Sequence, residues 1–454
     1  MWSGVELSDL DFHTYASSVP DPKDNFFSSL DFDFKNPREG RYLSASLSSS
    51  FRPGATGNPP SQSESIILWP VDPVFSHTFD ITATARYLKE CASKIPDSSS
   101  ADLLSLRQKI SNATDPSQIC RLSTNYYRPF LDNIYASLEK PITLNPTPYP
   151  ETISLDMPTI SITDVIFICR LLTLDGYLLT KSEKNVFPVR SILSSLRIAE
   201  GLLERPSGRI SYFLSLICID ITLPLIWEGL ENSHFNETDT CMLLNAIERL
   251  DVMNSFHKAI LMERSFEYNF LSVYFDKEKG FLSILAKPVA LKMLQGLFVL
   301  PIKEINHQIA SNSVFKSDLP LKKSFFSILE LFYPRSLLKD YNYARKQDIM
   351  LSMTRLDIAL SLFTQKKGFS PDTLVELVPS ILPTLPVDPF TGKDFLYRKT
   401  GSNTYLLYSA WTNEKDDGGV SFVIPEPKPK DLDNFLFYEA KGDFVWPQHH
   451  SGRN

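Results

Sequence analysis

The chain has 454 residues, 43% hydrophobic and 22% charged, which suits about two to four domains or one extended helical body and excludes wholesale disorder and a membrane channel. Its net charge of −7 is spread over both signs with no Lys/Arg block or basic aromatic stripe, so no nucleic-acid partner is expected. Five scattered cysteines, Cys91, Cys120, Cys169, Cys218 and Cys241, form no CxxC or CxxH, which argues against zinc and a dense disulfide scaffold, and leaves buried thiols or one isolated disulfide in an oxidising compartment.

Met1 is followed by "WSGVELSDLDF", without basic or apolar leader regions, so no signal peptide is expected in this chain. Residues 1–78 read as an irregular N-terminal segment and linker, because "GRYLSASLSSSFRPGATGNPPSQSES" (40–65) combines too much Ser, Gly and Pro to bury much surface. Residues 79–140 read as an N-terminal helical region built from "FDITATARYLKECASKI", "SADLLSLRQKI" and "PSQICRLSTNYYRPFLDNIYASLEK". Residues 141–164 carry five prolines and form a Pro-rich crossing that regular helix cannot span.

A main helical body is expected over 165–339. "ISYFLSLICIDITLPLIW" (210–227) is the nearest approach to a membrane span, but Asp220 and Pro224 make it a buried helix with a break. "VRSILSSLRIAEGLLE" aligns Ile192, Leu196, Ala199 and Leu203 on one core-facing stripe. Asn236 is the expected N-cap of "ETDTCMLLNAIERLDVM", with Glu237 and Asp239 favourable in its first turn. No fixed-period repeat supports a solenoid.

Residues 340–454 read as a C-terminal helix plus β-hairpin module. "QDIMLSMTRLDIALSLFTQKKG" is a helix stopped by Gly368, after which Ser370 and Pro371 are expected to open a short helix over "DTLVELVPSIL". The period then changes, and "DFLYRKTGSNTYLLYSA" reads as two strands turning at Thr400, Gly401, Ser402 and Asn403, with "NFLFYEAKGDFVWP" (434–447) adding a strand or packing across them. Phe395, Tyr397, Leu407, Tyr408 and Trp446 are expected to fold the hairpin onto an apolar end of the helical body.

None of GxSxG, HExxH, GxxxxGK[ST] or GxGxxG occurs. His257 is the one helical candidate for a general base, and a structural histidine is the simpler reading. Glu263 and Arg264 interrupt an apolar run, which predicts that a charge there is paired across helices. Asp416 and Asp417, with Glu414 before them and two glycines after, are the candidate calcium ligands, against the plainer reading of a solvated acidic turn. His449 and His450 lie in a polar tail.

The stretch "RLDIALSLFTQKKGFSPDTLVELVPSILPTLPVDPFTGKDFLYRKTGSNTYLLYSAWTNEKDDGG", followed by "DFVWP", closely resembles the C-terminal signature of hypothetical membrane-anchored protein families of planctomycete and verrucomicrobial-type bacteria. "VPDPKDNFFSSL" (19–30) is similar to their N-terminal VPDxxN element, and "AILMERSFEYNFL" (259–271) to their mid-chain ER element. The resemblance implies an anchoring helix upstream of this chain, a body in the periplasm or cell exterior, and other envelope proteins as partners. The helix, "DPFTG" turn and hairpin also resemble the C-terminal half of type II secretion major pseudopilins, whose comparable loop binds calcium. That likeness adds weight to Asp416 and Asp417, and gives Asp388 the shaping of the turn before Pro389. The chain departs from the pseudopilin pattern in the long stretch of other structure before the helix and in lacking the spaced aspartates after the Gly-rich loop.

The expected fold is mainly α, an irregular multi-helix bundle with a small C-terminal α+β module. The expected role is interaction or scaffolding at the cell envelope, with no catalytic residue assigned. The alternatives are a pseudopilin-like secretion component and an envelope hydrolase without a recognisable motif, the latter calling for His257 to meet Asp or Glu in a cleft.

Overall fold

The computed structural model describes residues 80–138 except 96 and 98, 162–180, 189–232 except 205 and 207, 234–263 except 261, 334–422 and 441–446. The N-terminal segment, nearly all of the Pro-rich crossing, the VPDxxN-like element, Arg264, His449 and His450 lie outside the described residues.

The helices begin where capping chemistry permits. Asp80 accepts from the Ala83 N–H at 2.8 Å to start α1 (Ile81–Ser93), Ser100 caps α2 (Ala101–Asn112), and Asp115 with Pro116 in the first turn opens α3 (Pro116–Tyr126). The sequence pattern that reads as one helix from 116 divides at Tyr127, and α4 (Arg128–Leu138) follows. Pro129 has no N–H to continue the ladder, so the chain turns there.

The next three helices are α5 (Ile162–Thr180), α6 (Val189–Glu204) and α7 (Arg209–Glu231), which pack on one another. Ile192, Leu196, Ala199 and Leu203 are all buried, as the stripe predicts, and so are the intervening Ser191, Ser194 and Ser195. α7 runs through Pro224 without ending. The expected break is absent because proline removes one ladder bond, while Leu223, Leu225, Ile226 and Trp227 around it are all buried against neighbours. Among the described residues α7 is the one helix long and apolar enough to cross a membrane, and 72% of its apolar window is buried within the protein.

Asn236 and Asp239 form a reciprocal capping box that starts α8 (Glu237–Glu248). The helix ends sooner than its pattern suggests. Asp251 accepts from the Asn254 N–H and begins a separate helical run over 252–260. α9 (Pro334–Lys367) then crosses α7 and α8 and stops at Gly368, whose φ of +82° suits a residue without Cβ.

After α9 the expected helix contracts to a single 3₁₀ turn, Leu374–Leu377, capped by Thr373 and Glu376 rather than by Ser370. The Ser370 N–H instead donates to the Ser402 carbonyl at 2.8 Å, committing that residue to the hairpin turn. β1 (Leu396–Lys399) and β2 (Tyr405–Ser409) form the antiparallel hairpin, and β3 (Phe444–Trp446) pairs antiparallel with β2. Trp411 stacks on Phe444 at 4.9 Å and lies 4.8 Å from Phe390. The module closes on the body through Trp446, which meets Trp227 of α7 edge-on at 4.5 Å, while the Trp227 indole N–H donates to Thr354 of α9. Of the five residues expected to make this cover, Phe395, Leu407, Tyr408 and Trp446 are buried and Tyr397 is half-buried. One continuous apolar cluster runs from α1 to β3.

Candidate functional site

Several polar side chains in the N-terminal half of α9 are enclosed. Arg345, Lys346 and Gln347 are 5%, 6% and 0% exposed. Buried charge demands a partner, and α7 supplies one in Asp220. Its carboxylate accepts from the Tyr343 hydroxyl at 2.6 Å and from Gln347 Nε2 at 2.5 Å. Burial raises the Asp220 pKa, opposed by the nearby Lys346 ammonium and then by the two hydrogen bonds. Lys346 also lies 5.6 Å from the Tyr343 ring centre. Gln347 Oε1 is buried without a hydrogen-bond donor.

Two further charged groups flank this centre. Toward the start of α9, Arg209 pairs with Asp340 at 3.0 Å, while Glu263 accepts from the Arg209 backbone N–H. Burial pushes Asp340 up to about 6, with Glu263 adding to the rise and Arg209 opposing it. Two residues beyond Lys346, burial pushes Asp348 up to about 6, opposed by Arg345 and reinforced by Asp251 and Asp388. The Arg345 guanidinium sits 5.0 Å from the Phe390 ring, so this cluster reaches the C-terminal module. The Asp220 carboxyl, beside Tyr343 and Lys346, can hold and exchange a proton.

The expected site residues fall elsewhere. His257 is half-buried on the 252–260 run. Glu263, expected to pair with an opposite charge, accepts from the Arg209 backbone N–H. Asp416 is exposed, and accepts from the Tyr408 hydroxyl at 3.1 Å and the Gly418 N–H at 2.8 Å. Asp417 accepts from Asn413 Nδ2 at 3.0 Å, with Lys415 at 3.5 Å. The acid that organises this loop is Asp443, which sequence reasoning missed. Fully buried, it accepts from the Asp417 and Gly419 N–H groups, and burial raises its pKa against those bonds. Its closeness to Gly442 in the "KGDF" turn was the available signal. Gly442 has a φ of +106°, and a Cβ there would fall 2.8 Å from the Val420 carbonyl oxygen. Among the described residues no group of three His, Cys, Asp or Glu side chains is placed to hold a metal ion.

Asp388 shapes its turn as expected: it accepts from the Phe390 N–H at 2.9 Å and the Ser409 hydroxyl at 2.7 Å. The α7–α9 centre had no motif to announce it. Its one legible trace was Asp220 in an apolar run, because a buried acid there requires donors from another helix.

No family model, curated protein or solved structure matches this chain.

Proposed function

We propose that this protein is an interaction or scaffolding component of the bacterial cell envelope, presenting its C-terminal module to partner proteins. The observation that carries the reading is a set of exposed apolar side chains, Phe369, Val375 and Val387, on the segment joining α9 to the hairpin. That segment is held firmly: Tyr397 donates to the Pro371 carbonyl and Lys399 pairs with Asp372. A fixed surface with solvent-facing valines suits recognition better than it suits a mobile loop. The envelope location follows the resemblance of the C-terminal stretch.

The test is in-cell cross-linking and fractionation of the native-level protein, followed by mass spectrometry, with Val375→Asp and Val387→Asp in parallel. A reproducible set of envelope proteins, cross-linked to residues 369–387 and lost in both variants, is expected. A cytosolic protein without those cross-links would overturn the reading.

A hydrolase reading draws support from Asp220, Tyr343, Lys346 and the orphaned Gln347 oxygen. A hydrolytic activity abolished by Asp220→Asn in a folded protein would replace the scaffold proposal.

A further inference from the structure

Cys169 on α5 and Cys218 on α7 are both fully buried, and their sulfurs lie 3.2 Å apart, the Cys169 thiol donating to Cys218 Sγ. Among the described residues this is the one sulfur–sulfur contact. Cys91 and Cys120, both buried, and the half-buried Cys241 make no such sulfur–sulfur contact. Each sulfur of the pair sits on a turn pinned in the same way. Thr173 donates to the Cys169 carbonyl at 2.9 Å, and Thr222 to the Cys218 carbonyl at 2.7 Å. A disulfide requires a sulfur separation of about 2.05 Å, so closure needs an approach of about 1 Å between two helices already packed together.

We propose that Cys169 and Cys218 close to a disulfide that joins α5 to α7 when the chain folds in the presence of a disulfide oxidant. The Cys169 thiolate attacks one sulfur of the oxidant, a protein or glutathione disulfide, forming a mixed disulfide and expelling one thiolate. Cys218, deprotonated in turn, displaces the second thiol and forms the Sγ–Sγ bond. The pair gives up two protons and two electrons, and the oxidant leaves as two thiols. Burial raises the Cys218 pKa well above its usual value, so exchange belongs to folding, before the helices close. Once formed, the bond is shielded from reductants by the same burial.

The bond goes beyond the scaffold proposal, and in the cell its formation rests on the envelope location within it. The deciding experiment is therefore done on purified protein. Denatured, reduced chain is refolded with oxidised and reduced glutathione, then alkylated in denaturant and mapped by peptide mass. The expected product carries three alkyl groups where the reduced chain carries five, has a mass two hydrogen atoms below that of a chain with three alkylated and two free thiols, and yields one cross-linked peptide pair containing Cys169 and Cys218. Its thermal midpoint lies above that of the reduced protein, and Cys169→Ala or Cys218→Ala removes this redox difference while Cys91→Ala retains it. Five alkylatable thiols after oxidative refolding, or a cross-link through any other cysteine, overturns the proposal. The oxidation state in intact cells is read separately and bears on the compartment alone.

Discussion

α7 and α9 cross in the same core and are both buried along most of their described length, yet α9 carries ten charged residues and α7 four. α7 is held by apolar contact, which is indifferent to direction and tolerates even Pro224. α9 is held by specific pairings: Asp220 with Tyr343 and Gln347, Arg209 with Asp340, Glu248 with Arg355, and Tyr405 with Asp357. Apolar burial adds stability wherever it occurs, whereas buried charge is tolerated only in one register. The pair teaches that α9 supplies alignment and α7 supplies adhesion, with Trp227 between them, packed on Trp446 and bonded to Thr354.

The sharpest way to break the apolar side is Trp446→Ala. It empties the seat against Trp227 and should destabilise the protein by about 3–5 kcal/mol, seen as a lower denaturant midpoint and early proteolysis within 370–446. A loss below about 1 kcal/mol would mean that the module contributes little to the body.

On the polar side, Asp220→Leu strands the Tyr343 hydroxyl and Gln347 amide in the interior and should destabilise by about 2–3 kcal/mol. Combining it with Tyr343→Phe, Gln347→Leu and Lys346→Met should recover much of that loss, since the stranded donors and the ammonium that Asp220 faces go too. If the quadruple variant is no better than the single, Asp220 acts through something other than these contacts.

The pH response separates the two helices further. Asp340 and Asp348 have folded pKa values of about 6 against an ordinary 3.8. The folded state therefore holds their protons more tightly than the unfolded chain does. Their stabilising contribution is complete below pH 3.8 and is lost as pH rises through about 6. Asp348→Asn should flatten this fall by about 3 kcal/mol and leave the pH 7 midpoint at or above that of the parent. A midpoint that drops at pH 7 would show that ionised Asp348 is a net stabiliser through Arg345.

Smaller effects are expected at the module's edge. Glu376→Ala removes the carboxylate that accepts from the Asp372 and Thr373 N–H groups and should destabilise by about 1 kcal/mol. Calcium, added in calorimetry and then removed by chelation, should leave the melting curve unchanged, because Asp416 and Asp417 already accept from Tyr408, Gly418 and Asn413. A calcium-dependent rise in midpoint would support the pseudopilin-like reading of this loop.

Much of the fold was legible because its signals are local. Asn236 sits one turn from the amide it caps, Gly368 sits at the turn it ends, and the Thr400–Asn403 turn residues lie between the strands they join. The misreadings also have local causes. Ser370 and Pro371 mimic a helix start, but the hairpin claims the Ser370 N–H, and α3 divides from α4 because Pro129 withholds one bond. The candidate site was far less legible, since the donors to Asp220 stand 123 and 127 residues away along the chain.

By itself, then, the sequence determined the helical class, the late change to strands, the Asn236 cap and the Gly368 stop, and the aromatic residues that cover the body. These depend on backbone propensity and side-chain period, which act within a few residues. Only the tertiary structure decided that a polar stretch of α9 goes inside, that Asp443 closes the acidic loop, and which two of five cysteines touch. Those outcomes depend on which distant surfaces meet, and a buried charge or thiol takes its chemistry from its neighbours in space rather than in sequence.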